Sequence, residues 1–151
     1  MKMEAVTEQA VDFRAAFRGN FTGILQWQQL DQLWQTVKQS NNQRWYIYAI
    51  GENIPEQPVS KAALEKFLDE IDALLRKEHD EDYCGIVYAD SKLHPTFIKI
   101  FDPNNLGVVC GFSNNPPLPG WILSTVKPEP LEDMRPLPGN RKRWWNRLWT
   151  N

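Results

Sequence analysis

Apolar residues recur along this 151-residue chain at two periods, one near four residues and one of two. The first segment, 7–18, carries Ala10, Phe13 and Phe17 at helical spacing and stops at Gly19. A second helix is expected over 22–39, where Ile24, Trp27, Leu30, Trp34 and Val37 form the stripe and Ser40-Asn41-Asn42 ends it. The run Arg-Trp-Tyr-Ile-Tyr-Ala-Ile at 44–50 is aromatic and branched and closes on Gly51, so it predicts a strand. After a loop holding Pro55 and Pro58 comes the clearest helix. Ser60 is its N-cap, and Leu64, Phe67, Leu68, Ile71, Leu74 and Leu75 make its apolar stripe opposite a charged face.

Three short strands are predicted next, at 83–89, 96–101 and 106–112. Pro103-Asn104-Asn105 is turn chemistry, so the last two are expected to form a hairpin. The segment Trp121-Ile122-Leu123-Ser124 is expected as an edge strand. The pattern predicts an α+β fold: a three-stranded antiparallel meander plus one earlier strand, with helices on one face. The domain is expected over 1–126. A proline-rich linker follows at 127–140, and a basic, tryptophan-rich amphipathic tail over 141–151.

Strand alternation raises a second question. Both faces of 44–50 are apolar, and the face carrying Tyr46, Tyr48, Tyr88, Phe97 and Phe101 must be covered by a terminal segment, a partner or a ligand. The tail raises a third. Wound as a helix, Trp144, Trp145, Leu148 and Trp149 share one arc, and Arg143, Asn146, Arg147 and Thr150 the other. Burying the tryptophans and ordering the tail are terms of similar size, so the segment needs a surface to hold its shape. The linker predicts that the tail is separable from folding, which makes Arg141, Arg143, Trp144, Trp145, Arg147, Leu148 and Trp149 the expected partner-binding residues.

Charge sharpens this picture. The chain holds 17 basic and 19 acidic residues, net −2. From Arg135 onward there are five basic residues and no acidic one, which leaves 12 basic against 19 acidic in the remainder, net −7. The tail is expected to favour acidic surfaces, and the body to repel nucleic acid. No apolar run reaches the length of a membrane span, and no apolar leader opens the chain. Two cysteines, Cys84 and Cys110, make no disulfide framework and are expected to remain free thiols in a cytoplasmic protein.

Candidate chemistry is sparse. His79, Asp80, Glu81, Asp82, Tyr83 and Cys84 are the residue types of a metal or acid-base site, but no second histidine or cysteine follows at ligand spacing. An enzyme would have to use His79, Asp82, His94 or Asp102. No phosphate-binding loop or nucleophile motif is present, and neither a metal nor a cofactor is expected. The expected function is that of a non-catalytic accessory or adaptor protein that binds a protein partner, or itself, through the tail, and in addition through the aromatic sheet face. The alternatives are a small-ligand-binding or sensor domain lined by Tyr46, Tyr48 or Tyr88, and peripheral membrane attachment through the tail.

Overall fold

The structure is a computed structural model that describes residues 12–40, 43–105, 118–131 and 139–150. Along the chain these form α1 (Phe13–Phe17), β1 (Thr22–Ile24), α2 (Trp27–Lys38), β2 (Tyr46–Ala49), α3 (Lys61–Glu78), β3 (Val87–Ala89), β4 (Phe97–Ile100), a 3-10 turn (Pro103–Asn105), β5 (Trp121–Ser124) and α4 (Gly139–Leu148). The five strands make one antiparallel sheet in the order β1-β3-β4-β5-β2, so the fold is α+β.

Several elements follow directly from local chemistry. The Asp12 side chain accepts from the Ala15 amide and starts α1, and the Ser60 hydroxyl accepts from the Ala63 amide and starts α3. Residues 22–24 depart from the predicted helix and form the edge strand β1 on β3. Helix α2 begins only at Trp27, where the side chain of Gln29 accepts from the Gln26 amide in a reciprocal cap. Gly23 allows the β1–β3 pairing, since a Cβ there would lie 3.1 Å from the Tyr88 ring.

The predicted strand at 83–89 is shorter, because Gly85 takes a φ of +69° that breaks the ladder before Val87. The meander is closed by β5. Trp121–Ser124 pairs with β4 on one side and β2 on the other, so it is an inner strand rather than an edge. Its four residues are all buried, as an uninterrupted apolar run in a two-faced sheet requires. With β3 and β5 on either side of β4, the position expected for 106–112 beside β4 is occupied; that segment lies outside the described residues.

Alternation along the strands divides the interior into two layers. Ile47, Ala49, Ile98, Ile100, Trp121 and Leu123 face α2, α3 and α4. Tyr48, Ile50, Phe97 and Ile122 face the other way and meet Phe13 of α1. Phe17, Phe21, Ile54, Leu118, Val126 and Leu131 complete that cover. Of the aromatic face expected from the sequence, Tyr48 and Phe97 are covered by the chain itself, whereas Phe101 packs against the helix-side core. Arg14 ties the two covering segments together by donating from Nε to the Pro130 carbonyl (3.0 Å) and pairing with Glu129 (3.3 Å).

Lys99 is the exception on this face. Its ammonium lies 4.0 Å from the ring centres of both Phe17 and Phe21 and has no ion-pair partner among the described residues. Burial pushes its pKa down to about 8, from an ordinary 10.5. Between those values the unfolded chain holds more protons than the folded one, so this group makes stability rise with pH from about 8. Burial pushes Cys84 and Tyr48 up, and both pull stability the opposite way above about 9 to 10. Chemical unfolding at pH 7, 8 and 9 is expected to show wild type gaining stability relative to Lys99→Met over this range. A constant difference between the two proteins would contradict the burial of the ammonium.

Candidate functional site

The C-terminal helix is where most of the expected contact residues fall, and Arg141 determines how it sits. Its side chain is 3% exposed and fully engaged. Nε and Nη2 donate to the two oxygens of Asp102 (2.7 and 2.9 Å), while Nη1 and Nη2 donate to Glu78 (3.2 and 2.6 Å). Asp102, itself 6% exposed, is held by the turn after β4, where it also accepts from the Asn104 amide (2.9 Å). Gly120 makes room for it, since a Cβ there would lie 3.3 Å from that of Asp102. Glu78 comes from the last turn of α3 and accepts a further bond from the Asn104 side chain (2.6 Å). One planar guanidinium thus joins α4 to the end of α3 and the end of β4.

The electrostatics match this geometry. Hydrogen bonding from Arg141 holds the Glu78 carboxyl below its ordinary range, and hydrogen bonding to Asp102 pushes Arg141 up. A guanidinium buried among two carboxylates stays charged throughout the range in which the protein can fold.

The rest of α4 follows at helical spacing. Trp144 meets Trp121 and Phe67 edge-on, with ring centres 5.5 and 6.4 Å apart, and Trp145 meets Phe67 from the other side at 6.3 Å. Leu148 is buried in the main core. Arg141, Trp144, Trp145 and Leu148 therefore form the i, i+3, i+4, i+7 stripe of a helix packed on its own domain. Read from sequence, this segment was separable; its buried Arg141 and Leu148 make it part of the core. The outward residues are Arg143, Arg147 and Trp149, the last 39% exposed at the rim and stacked edge-on to Trp145. Lys142 reaches Glu52 at 2.8 Å, whereas Arg143 and Arg147 form no ion pair among the described residues.

The remaining candidates do not converge. Tyr48 and Phe97 are buried beneath α1, and Tyr46, Tyr88 and Phe101 are half-buried, Tyr88 and Phe101 stacked edge-on at 5.7 Å. His94 lies in the β3–β4 hairpin, where its amide donates to the Ser91 hydroxyl, and Asp90 organises that loop by accepting from the Thr96 and Phe97 amides. His79 stands between the rings of Trp27 and Tyr83, with Asp82 in the same loop, and Asp102 serves Arg141, so His79, His94 and Asp102 belong to different environments. Cys84 is buried and free; Cys110 lies outside the described residues. A groove of about 230 Å³ between α2 and α3 is lined by Asp31, Trp34, Gln35, Lys38, Asp69 and Asp72. Its charges are paired, Arg76 with Asp31 across the groove and with Asp72 on its own helix, and Lys38 with Asp69 across it. No helix among the described residues is long and apolar enough to cross a membrane.

Arg141 is among the partner-binding residues expected from sequence, whereas the structure buries it. The signal that separates it is its phase, three residues before Trp144 and seven before Leu148, on the apolar stripe. Replacing Arg141 by alanine leaves Asp102 buried without its counter-ion and is expected to cost about 3 kcal/mol or more. Arg141→Lys is expected to recover only part, because an ammonium cannot make the paired bonds. Removing residues 139–151 is expected to destabilise the domain by several kcal/mol, since Phe67 and Trp121 lose their cover. Because Glu78 is held low, the contribution of the clamp is present above the ordinary carboxylate range and lost as pH falls through the folded value. Urea titrations of the three variants and wild type at pH 7 and pH 4 check these four expectations; a truncated chain as stable as the whole would show that α4 is not structural.

Comparison with protein-family models, with curated proteins and with solved structures finds no match to this chain.

Proposed function

We propose that this protein is a non-catalytic cytoplasmic accessory protein that binds an acidic surface of another protein through the outer face of α4. The observation that supports this most is the division of labour within that helix. Its inner stripe is spent on the domain, which holds the helix at a fixed angle, and Arg143 and Arg147 project one turn apart with no internal partner among the described residues. Arginines held on a rigid frame recognise carboxylates with little loss of side-chain freedom. Trp149, half out at the rim beside Trp145, supplies the aromatic anchor common at such contacts.

This arrangement favours a protein surface over a lipid one. Interfacial helices bind membranes by sinking an apolar face among the acyl chains, and in α4 that face is turned to Phe67 and Trp121. It also favours surface contact over an enclosed ligand, since Phe13, Phe17 and Phe21 pack against Phe97 on the aromatic sheet face.

The double variant Arg143→Glu, Arg147→Glu changes only exposed groups and is expected to fold and melt like wild type. Affinity capture with each protein, followed by quantitative mass spectrometry, is expected to show specific proteins retained by wild type and lost from the variant, more steeply at low salt. Identical captured sets would contradict the reading. Loss of sedimentation with anionic vesicles, with protein capture unchanged, would instead assign the face to a membrane.

A further inference from the structure

A second surface lies where β1 leads into α2 and α3 leads into β3. Two of the large apolar side chains that remain exposed, Leu25 (58%) and Tyr83 (51%), lie on the two segments that join at this corner of the sheet. The backbone brings them together: the Cys84 amide donates to the Leu25 carbonyl (2.7 Å), and the Gly85 amide to that of Ile24 (2.8 Å). Behind Tyr83 runs a row of stacked groups. The Tyr83 and His79 rings meet at right angles 6.0 Å apart, His79 meets Trp27 at 6.2 Å, and the Arg76 guanidinium lies 5.0 Å over the Trp27 ring.

The corner is stiff as well as apolar. The Trp27 indole donates to the Glu81 carbonyl (3.1 Å), and the Glu81 amide to that of His79 (2.9 Å). The left-handed backbone of Gly85 holds the Tyr83 ring over it, where a Cβ would lie 3.1 Å from two ring atoms. Side chains fixed before binding lose little freedom in the complex, and tyrosine, tryptophan and arginine are the residues that dominate interface energies. Around this centre the exposed carboxylates of Asp80, Glu81 and Asp82 form no ion pair among the described residues. Arg76, by contrast, is already neutralised by Asp31 and Asp72.

We infer that the corner formed by Leu25, Trp27, His79 and Tyr83 is a docking surface for a cationic segment of a partner protein, one that sets an apolar side chain against Tyr83 and lysines or arginines against the acidic rim. The charge of the rim selects this occupant. The same surface on a second copy would place like charges face to face, which disfavours a symmetric pair. This surface shares no residue with the outer face of α4 and is opposite to it in charge.

The test is an amide and indole NMR titration of the whole protein with a synthetic leucine–lysine peptide, and in parallel with its leucine–glutamate counterpart. The lysine peptide is expected to shift the Leu25, Tyr83 and Trp27 indole resonances, leaving those of buried Trp45 and Trp121 in place. Tyr83→Ala, at an exposed position, is expected to weaken binding by about tenfold or more, as loss of a central anchor does. Asp80→Asn, Glu81→Gln, Asp82→Asn together are expected to remove most of its salt dependence, and Arg143→Glu, Arg147→Glu to leave it unchanged. Shifts spread along the charged outer face of α3, unchanged affinity in Tyr83→Ala, or equal binding of the glutamate peptide at this corner would each overturn the inference.

Discussion

The buried guanidinium of Arg141 is the contact on which the arrangement of this domain turns. Its four hydrogen bonds join three pieces of chain far apart in sequence: the end of α3, the turn after β4 and the first turns of α4. A buried cation is costly in isolation, and here both of its carboxylate partners are themselves held by Asn104. Asp102 is held by the Asn104 amide, and Glu78 by the Asn104 side chain. The ring contacts of Trp144 and Trp145 follow once the angle of the helix is set, because both tryptophans lie one turn beyond the clamp.

The sheet imposes the complementary demand. With β5 inserted between β4 and β2, the central strands are apolar on both faces and need cover on both. Helices α2, α3 and α4 cover one face, and α1 with Phe21, Ile54, Leu118, Val126 and Leu131 covers the other. Each end of the chain thus closes one side, and the outward groups of α4 are presented from a helix whose position the core determines. Such a rigid display is what the contact proposed for α4 requires.

Much of the fold was legible from periodicity. The α3 stripe from Leu64 to Leu75, its Ser60 cap, the β2 and β4 strands and the two apolar sheet faces all followed from spacing and local chemistry. What escaped depended on partners distant in sequence. Thr22-Gly23-Ile24 reads equally well as the first turn of a helix, and it is a strand because β3 offers an edge and Tyr88 a surface for Gly23. Trp121–Ser124 looked like an edge because proline surrounds it, whereas its unbroken apolar run belongs between two strands. The composition of the tail suggested a free docking segment; Arg141 looked like one cation among several until Asp102 and Glu78 were seen on either side of it. The acids that answer it lie 39 and 63 residues away, beyond the reach of any local pattern.

A double-mutant cycle on Arg141→Met and Asp102→Asn measures the clamp itself. Unfolding free energies of the four proteins at neutral pH are expected to give a coupling of about 2–3 kcal/mol, the upper range for groups in direct contact. A coupling within about 0.5 kcal/mol of zero, the additivity of independent sites, would contradict the claim that this ion pair builds the C-terminal helix into the domain.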